Sequence, residues 1–425
     1  YRYFSTGRRK FIIVDTPGHV QYTRNMATGA SRADAAVVLV DARHGLQQQT
    51  RRHAYLLRLL GIDRLAVAIN KMDLVAFEQA RFDAIKRDFE AFAAPLGFSR
   101  LDFFPISASG GDNVCEPSAQ TPWSEAGTIL QYLEQVPAGA GAGGLPLRFP
   151  VQHVLRPHLD YRGFSGQLQS GTVRKGDEVL VLPAGKTARV KAIDSFEGEL
   201  PEASAPQSVT LRLDREVDVS RGDVLVSAAE PATVARALEA TLVWLADAPL
   251  QAGKPYLVKQ GTRVTPAKVR ALHGRVDLER LSEVQAQGLQ ANDIGRVSIE
   301  CSRPLVVDPY ARVRATGAFI VIDPLSNATV AAGMVTSAVT TDADAGAVSA
   351  DERYARLGHH GAVVRVADGP AAQRLERQLF DAGIVAAVAQ SAEAAAALEA
   401  AGLVAVLADG TGASYDLESL LASLR

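Results

Sequence analysis

The sequence predicts an α/β domain built on a doubly wound parallel sheet, followed by two β-barrels and a small α/β segment, and three observations carry that reading. Over residues 11–136, short β-branched or aromatic runs alternate with longer amphipathic stretches. Continuous apolar strands separated by helices imply a parallel sheet covered on both faces. Over 146–340 the pattern changes to short alternating strands punctuated by turns, with no helix of any length. Many short antiparallel strands hide their edges best by closing into barrels. Past about 345, helix and strand alternate again in an alanine-rich stretch.

The first domain, residues 1–140, opens with a strand at 11–14 and a helix over 20–31. A strand at 35–40, a helix near 48–60, a strand at 65–69 and a helix near 77–94 follow. A strand at 103–106 and a last helix near 124–135 complete it. The run Pro137-Ala-Gly-Ala-Gly-Ala-Gly-Gly144 is too small and too rich in glycine to pack and reads as a linker. Two barrels of similar size, 146–236 and 237–340, account for the β region. The segment 345–425 contains a strand at 362–366, a helix around 370–382 and a strand at 403–407.

Composition narrows the function. Lys plus Arg number 45 against 47 for Asp plus Glu, so a net charge of −2 gives no general attraction to nucleic acid or to an anionic membrane. The two cysteines, Cys115 and Cys301, stand far apart and form neither a disulfide framework nor a zinc ribbon. No apolar run approaches the roughly 18 residues of a membrane span and no signal peptide opens the chain, so a cytoplasmic address is expected. The chain starts at Tyr1 and enters a strand pattern almost at once, which reads as a fragment cut upstream.

Three motifs carry chemistry. Asp15-Thr16-Pro17-Gly18-His19 follows a strand and precedes a helix. An aspartate there can hold Mg²⁺, directly or through water, and a glycine lets its N–H approach a γ-phosphate. A simple strand-to-helix turn uses the same residue types. Asn70-Lys71-Met72-Asp73 ends another strand. Guanine presents two adjacent donors on its Watson–Crick edge, and an aspartate accepts both, where a wrong base leaves the carboxylate unpaired. Ser107-Ala108, after the strand at 103–106, can aim a backbone N–H at the guanine carbonyl. Together and in this order, at strand ends of one sheet, these motifs point to a nucleotide at the switch point.

These residues belong to a wider set: Tyr1-Arg-Tyr-Phe4, Gln21-Tyr-Thr-Arg-Asn-Met-Ala-Thr-Gly-Ala-Ser31, Asp41-Ala-Arg-His-Gly45 and Gln49-Thr-Arg-Arg-His53. Further on come Tyr161-Arg-Gly-Phe164, Ser220-Arg-Gly-Asp223, Thr316-Gly-Ala-Phe-Ile-Val-Ile-Asp323 and Gly333-Met-Val335. Over about residues 1–340 the chain resembles the large, GTPase subunit of bacterial sulfate adenylyltransferase, a relative of elongation factors Tu and 1A. The resemblance implies a GTP-binding domain and two barrels, with GTP hydrolysis coupled to a small catalytic partner subunit. That partner forms adenosine 5′-phosphosulfate and pyrophosphate from ATP and sulfate. It implies GTP and Mg²⁺ as cofactors, Asp15 on Mg²⁺, Gly18 at the γ-phosphate, His19 orienting the attacking water, and Asn70, Lys71, Asp73 and Ala108 around guanine. It implies no nucleic-acid or membrane partner. An elongation factor 1A-like translational GTPase and a non-catalytic pseudo-GTPase scaffold are the alternatives.

The chain departs from the family in places. No Gly-x-x-x-x-Gly-Lys-Ser/Thr occurs in the 425 residues, and Ala184-Gly-Lys-Thr187 lies in a barrel hairpin. The family carries its P-loop upstream of the position equivalent to Tyr1, so the chain as given is expected to bind GTP weakly or not at all. Val20 and Ser109-Gly110 depart in smaller ways. Leu375-Glu-Arg-Gln-Leu-Phe-Asp-Ala-Gly383 resembles the helix after the P-loop of adenylylsulfate kinase, but the loop before it, Val366-Ala-Asp-Gly-Pro-Ala-Ala-Gln373, lacks lysine and Ser/Thr. An eroded remnant without kinase activity is expected over 345–425. His359-His360 is read as a solvated turn, and Arg51-Arg52 as a solvated helix face.

Overall fold

A computed structural model describes residues 2–16, 23–31, 33–137, 142–158, 161–339, 350–411 and 416–424. The chain divides into two compact units, Tyr1–Thr340 and Thr341–Arg425.

The first unit begins with a hairpin of β1 (Arg2–Ser5) and β2 (Lys10–Ile13). Helix α1 (Thr23–Ala30) follows, then β3 (Ala36–Asp41), α2 (Gln48–Leu59), β4 (Arg64–Asn70), α3 (Gln79–Ala93), β5 (Arg100–Pro105) and α4 (Ile129–Gln135). Strands β3, β4 and β5 form a parallel sheet in that order. Its middle strand, Arg-Leu-Ala-Val-Ala-Ile-Asn, is buried on both faces, which is why it reads as an unbroken apolar run. Leu65, Val67 and Ile69 pack with α2 and α3 on one face; Ala66, Ala68 and Phe104 pack with α4 on the other.

The strand expected at 11–14 does not join this sheet. Strand β2 pairs antiparallel with β1, with Phe4 stacked on Phe11 at 4.5 Å. Ile12 and Ile13 are exposed, so the apolar run that suggested burial on both faces is buried mainly at Phe11. Arg9 fastens the hairpin to the end of α4 by donating to the carbonyls of Leu133 and Val136. Helix α4 is shorter than expected: Thr128 and Gln131 form a capping box, so residues 107–128 are loop.

The next strands are β6 (Arg148–Leu155), β7 (Gly163–Gln167), β8 (Thr172–Arg174), β9 (Glu178–Leu182), β10 (Lys186–Ser195), β11 (Gly198–Leu200), β12 (Glu202–Ser204), β13 (Ser208–Leu213) and β14 (Val224–Ser227). They close into a barrel through β10, β13, β7, β6, β14 and β9. The second barrel contains β15 (Thr233–Trp244), β16 (Pro255–Gln260), β17 (Arg263–Asp277), β18 (Ser282–Val284), β19 (Ile294–Val307), the short α5 (Arg314–Gly317), β20 (Ala318–Ile322) and β21 (Thr329–Val339). It closes through β16, β20, β21, β15, β19 and β17. Because β15 pairs with β19 from Thr233 onward, this barrel starts before the division expected near 236.

A buried ion pair joins the barrels. The Arg148 guanidinium donates to both oxygens of Asp308 at 2.7 and 2.9 Å, and Thr316 adds a 2.6 Å hydroxyl bond. Breaking one partner of such a pair leaves an uncompensated buried charge. The second barrel also packs on the parallel-sheet domain, where Tyr310 donates to the Leu60 carbonyl and Arg24 to that of Thr329.

The second unit has α6 (Ala350–Leu357), β22 (Ala362–Val366), α7 (Gly369–Asp381), β23 (Ala386–Ala389), α8 (Ala392–Ala400), β24 (Val404–Ala408) and α9 (Leu417–Leu424). Its parallel sheet runs β22-β24-β23, with α7 and α9 on one face and α8 on the other. His359 is not in a solvated turn. It is 1% exposed, and its Nε2 accepts the Val385 N–H at 3.0 Å. No described helix is long and apolar enough to cross a membrane.

Candidate functional site

The site begins at the carboxyl end of the first parallel sheet, where β3, β4 and β5 deliver Asp41, Asn70 and the loop after Pro105 side by side. Asn70 is the knot. Its Oδ1 accepts the N–H of Lys71 at 2.8 Å and that of Ala108 at 2.9 Å, tying the β4 and β5 loops together. The backbone reinforces this: the Met72 N–H donates to Ile106 O at 3.1 Å, and the Ile106 N–H to Ile69 O at 2.8 Å. Met72 is fully buried and anchors a short turn, while Asp73 beside it stays exposed. Among the described residues no donor meets the Asp73 carboxylate.

The Ala108 N–H, expected to meet a guanine carbonyl, is therefore already given to Asn70. A side-chain amide oxygen next to a loop amide is a stronger local acceptor than open solvent geometry, and a base must compete with it. Ser107 is buried and its Oγ accepts the Gly110 N–H at 3.2 Å, so it shapes the loop rather than facing a ligand.

Lys71 adopts a left-handed backbone with φ 65°, which turns its side chain back toward β3. There its ammonium donates to Asp41 Oδ2 at 2.8 Å. Arg43 donates to both Asp41 oxygens at 3.0 and 2.7 Å. Hydrogen bonding from Arg43, helped by Lys71, outweighs the opposing effect of burial and holds the Asp41 carboxyl well below the usual carboxylate range. Sequence reasoning gave Asp41 no role, although the motif 41–45 contains it. The missing signal is the register Asp41 opposite Asn70, which only the sheet supplies. Asn113 is a second residue missed. Buried with φ 56°, it donates to Pro105 O and to Thr121 Oγ1 at 2.7 and 2.8 Å, and it accepts the Ser118 N–H, so it organises the loop beside Ala108.

Among the described residues, Asp15 and Thr16 make no hydrogen bond or ion pair with this cluster. They follow the β1–β2 hairpin and not a strand of the parallel sheet. Gly29 of α1 lets them come close: a Cβ there would meet Val14 Cγ1 at 2.7 Å and Thr16 Cγ2 at 3.1 Å. Pro17, Gly18 and His19, as well as Val20, lie outside the described residues. Arg51 and Arg52 do not form a solvated face. Arg51 stacks over Phe92 at 4.9 Å, and the Nε of Arg52 is buried.

The comparisons agree on one relationship. The family model described as "Elongation factor Tu GTP binding domain" matches residues 1–138, and "GTP-eEF1A C-terminal domain-like" matches 237–336. The chain is 50% identical over 342 residues to sulfate adenylyltransferase subunit 1 of Shewanella oneidensis, covering 79% of this chain and 70% of that protein. It is 49% identical over 339 residues to the same subunit of Laribacter hongkongensis, covering 80% and 70%. To the bifunctional enzyme CysN/CysC of Rhodopirellula baltica it is 45% identical over 412 residues, covering 91% of this chain and 64% of that one.

Proposed function

The chain belongs to the sulfate adenylyltransferase subunit 1 family of elongation factor Tu-type GTPases, and from that premise we propose that it is the GTPase subunit of a sulfate adenylyltransferase. In this reading GTP hydrolysis here drives a partner subunit to make adenosine 5′-phosphosulfate and pyrophosphate from ATP and sulfate, in a soluble, cytoplasmic sulfate-assimilation enzyme. The observation that supports it most is the Asn70 knot beside the unpartnered Asp73.

Asp73 takes the two guanine donors, Asn70 and Lys71 fix the loop beneath the base, Met72 anchors it, and Ser107 and Ala108 close the far side. The Ala108 N–H reaches the guanine carbonyl once the base draws it from Asn70. Asp15 and Thr16 approach the phosphates with Pro17 and Gly18, and His19 orients the water.

Mg²⁺ takes one or two carboxylates from a protein and draws its other ligands from phosphate and water. Asp15, exposed and in no ion pair among the described residues, is the residue that would hold it, through water. Bound there, Mg²⁺ would neutralise phosphate charge. The segment 345–425 carries no kinase activity in this proposal: Asp368 spends its carboxylate capping α7, accepting from Ala371 N–H at 2.7 Å, where a kinase loop would present donors to phosphate.

The test is sulfate-dependent pyrophosphate release from ATP by the full-length protein with its small subunit, with and without GTP. Release that rises with GTP and collapses in Asp73→Asn is the expected result. Release indifferent to GTP overturns the proposal and favours a pseudo-GTPase scaffold.

A further inference from the structure

A cleft of about 220 Å³ lies between α2 and the second barrel, away from the base site. Arg52 forms one wall, and Asp277, Glu279 and Asp293 stand in the other with Arg275. We propose that this cleft binds a small zwitterion of the α-amino-acid class, its carboxylate on Arg52 and its ammonium toward Asp277 and Glu279.

Arg52 is the observation that asks for a ligand. Its Nε is buried without a hydrogen-bond partner, and its Nη1 reaches only Gln49 Oε1 at a long 3.4 Å. Burial lowers the pKa of this guanidinium although the Asp293 carboxylate opposes the shift, so its charge is only partly compensated. Buried donors without partners are rare and usually meet a bound ion, ligand or water.

The opposite wall fixes the ligand's other end. Asp293 is already engaged, accepting the Gln290 N–H at 2.8 Å and facing Arg275 at 3.5 Å. Asp277 uses one oxygen, Oδ1, for the N–H groups of Glu279 and Arg280, and among the described residues no hydrogen-bond donor takes Oδ2. Two guanidinium groups against three carboxylates disfavour an inorganic anion by itself, and the guanidinium groups disfavour a bare metal cation. A nucleotide is too large, since drug-sized ligands occupy roughly 300–1,000 Å³. A molecule with both charges a few ångströms apart satisfies both walls, and the small cleft, whose Val276, Leu278 and Ile294 pack into the neighbouring core, suits the smallest such molecules.

The inference does not depend on GTP binding. Isothermal titration of the full chain with glycine, alanine and serine, against acetate, methylammonium and sulfate, tests it. An amino acid should bind about 10-fold or more tighter than either half-molecule, and Arg52→Gln should remove that preference. Asp277→Asn, or the exposed Glu279→Gln should Asp277→Asn fail to fold, should weaken binding about 10-fold. Acetate or sulfate binding as tightly as the amino acids overturns the proposal, as does the absence of any binding. Affinity unchanged in both acidic variants overturns the placement of the ammonium.

Discussion

The described residues form two three-stranded parallel sheets, and these use their carboxyl ends in opposite ways. At the end of β3-β4-β5, side chains tie neighbouring loops together: Asn70 bridges to Ala108, and Lys71 to Asp41, while the Asp73 carboxylate keeps its lone pairs. At the end of β22-β24-β23, three described polar side chains are absorbed locally. Asp368 caps α7, Ser391 caps α8 through the Ala394 N–H, and Asp409 accepts from Thr411 and from Arg365. The same architecture thus yields the proposed base site in one place and helix caps in the other. A strand end is a site only where an acceptor is left over after the loops are built.

The sharpest way to break this comparison is at the leftover acceptor. Asp73→Asn should lower affinity for guanine nucleotides about 10- to 100-fold, because one of two charge-assisted acceptors becomes a donor. The same change should raise affinity for xanthine nucleotides, and Asp409→Asn should change neither; equilibrium binding of GDP and XDP reads all three. Asn70→Ala removes both amide ties at once and should cost the first unit about 2 kcal/mol, measured by urea unfolding followed at the tryptophans. If Asn70→Ala is neutral, the knot is not what holds the loops, and the contrast between the two sheets weakens.

Much of this contrast was legible in the sequence. The spacing of Asn70, Lys71 and Asp73 after an apolar run placed them at a strand end, and the glycine-rich 137–144 and the change of period placed the barrels. What was hidden depends on register and on partners distant in sequence. Asp41 lies 30 residues from Lys71 and meets it only because β3 and β4 pair with Asp41 opposite Asn70. The hairpin was missed because an isolated four-residue apolar run looks the same whether it enters a sheet interior or an exposed ribbon. His359 was misread for a related reason: its acceptor role depends on Val385, 26 residues away.

The second sheet supplies the complementary test. Asp368→Ala should remove only a helix cap, costing about 1 kcal/mol. In the full chain this should appear as faster amide exchange through the first turn of α7, with guanine-nucleotide binding unchanged. A loss of nucleotide affinity would mean that the two sheets are functionally linked, contrary to the comparison.

Acid gives the smallest effect and distinguishes the two kinds of carboxylate. Asp41 and Asp409 both have lowered pKa values, the first through Arg43 and Lys71, the second chiefly through Thr411. A group whose native pKa is depressed stabilises the fold above its unfolded value, near 3.8 here, and that stability is lost as pH falls through the native value. Neither residue should therefore contribute pH dependence between about 5 and 8, where unfolded and folded forms are both ionised. Below about 4 the wild-type unfolding midpoint should fall more steeply than that of Asp41→Asn, because the variant has no carboxylate left to protonate. Lys71 should also stay docked on β3 through that range, and guanine-nucleotide affinity can be followed through the same acid titration. Binding lost before the stability of the first unit falls would separate the leftover acceptor from the structural ones, and simultaneous loss would show that Asp73 too is part of the frame.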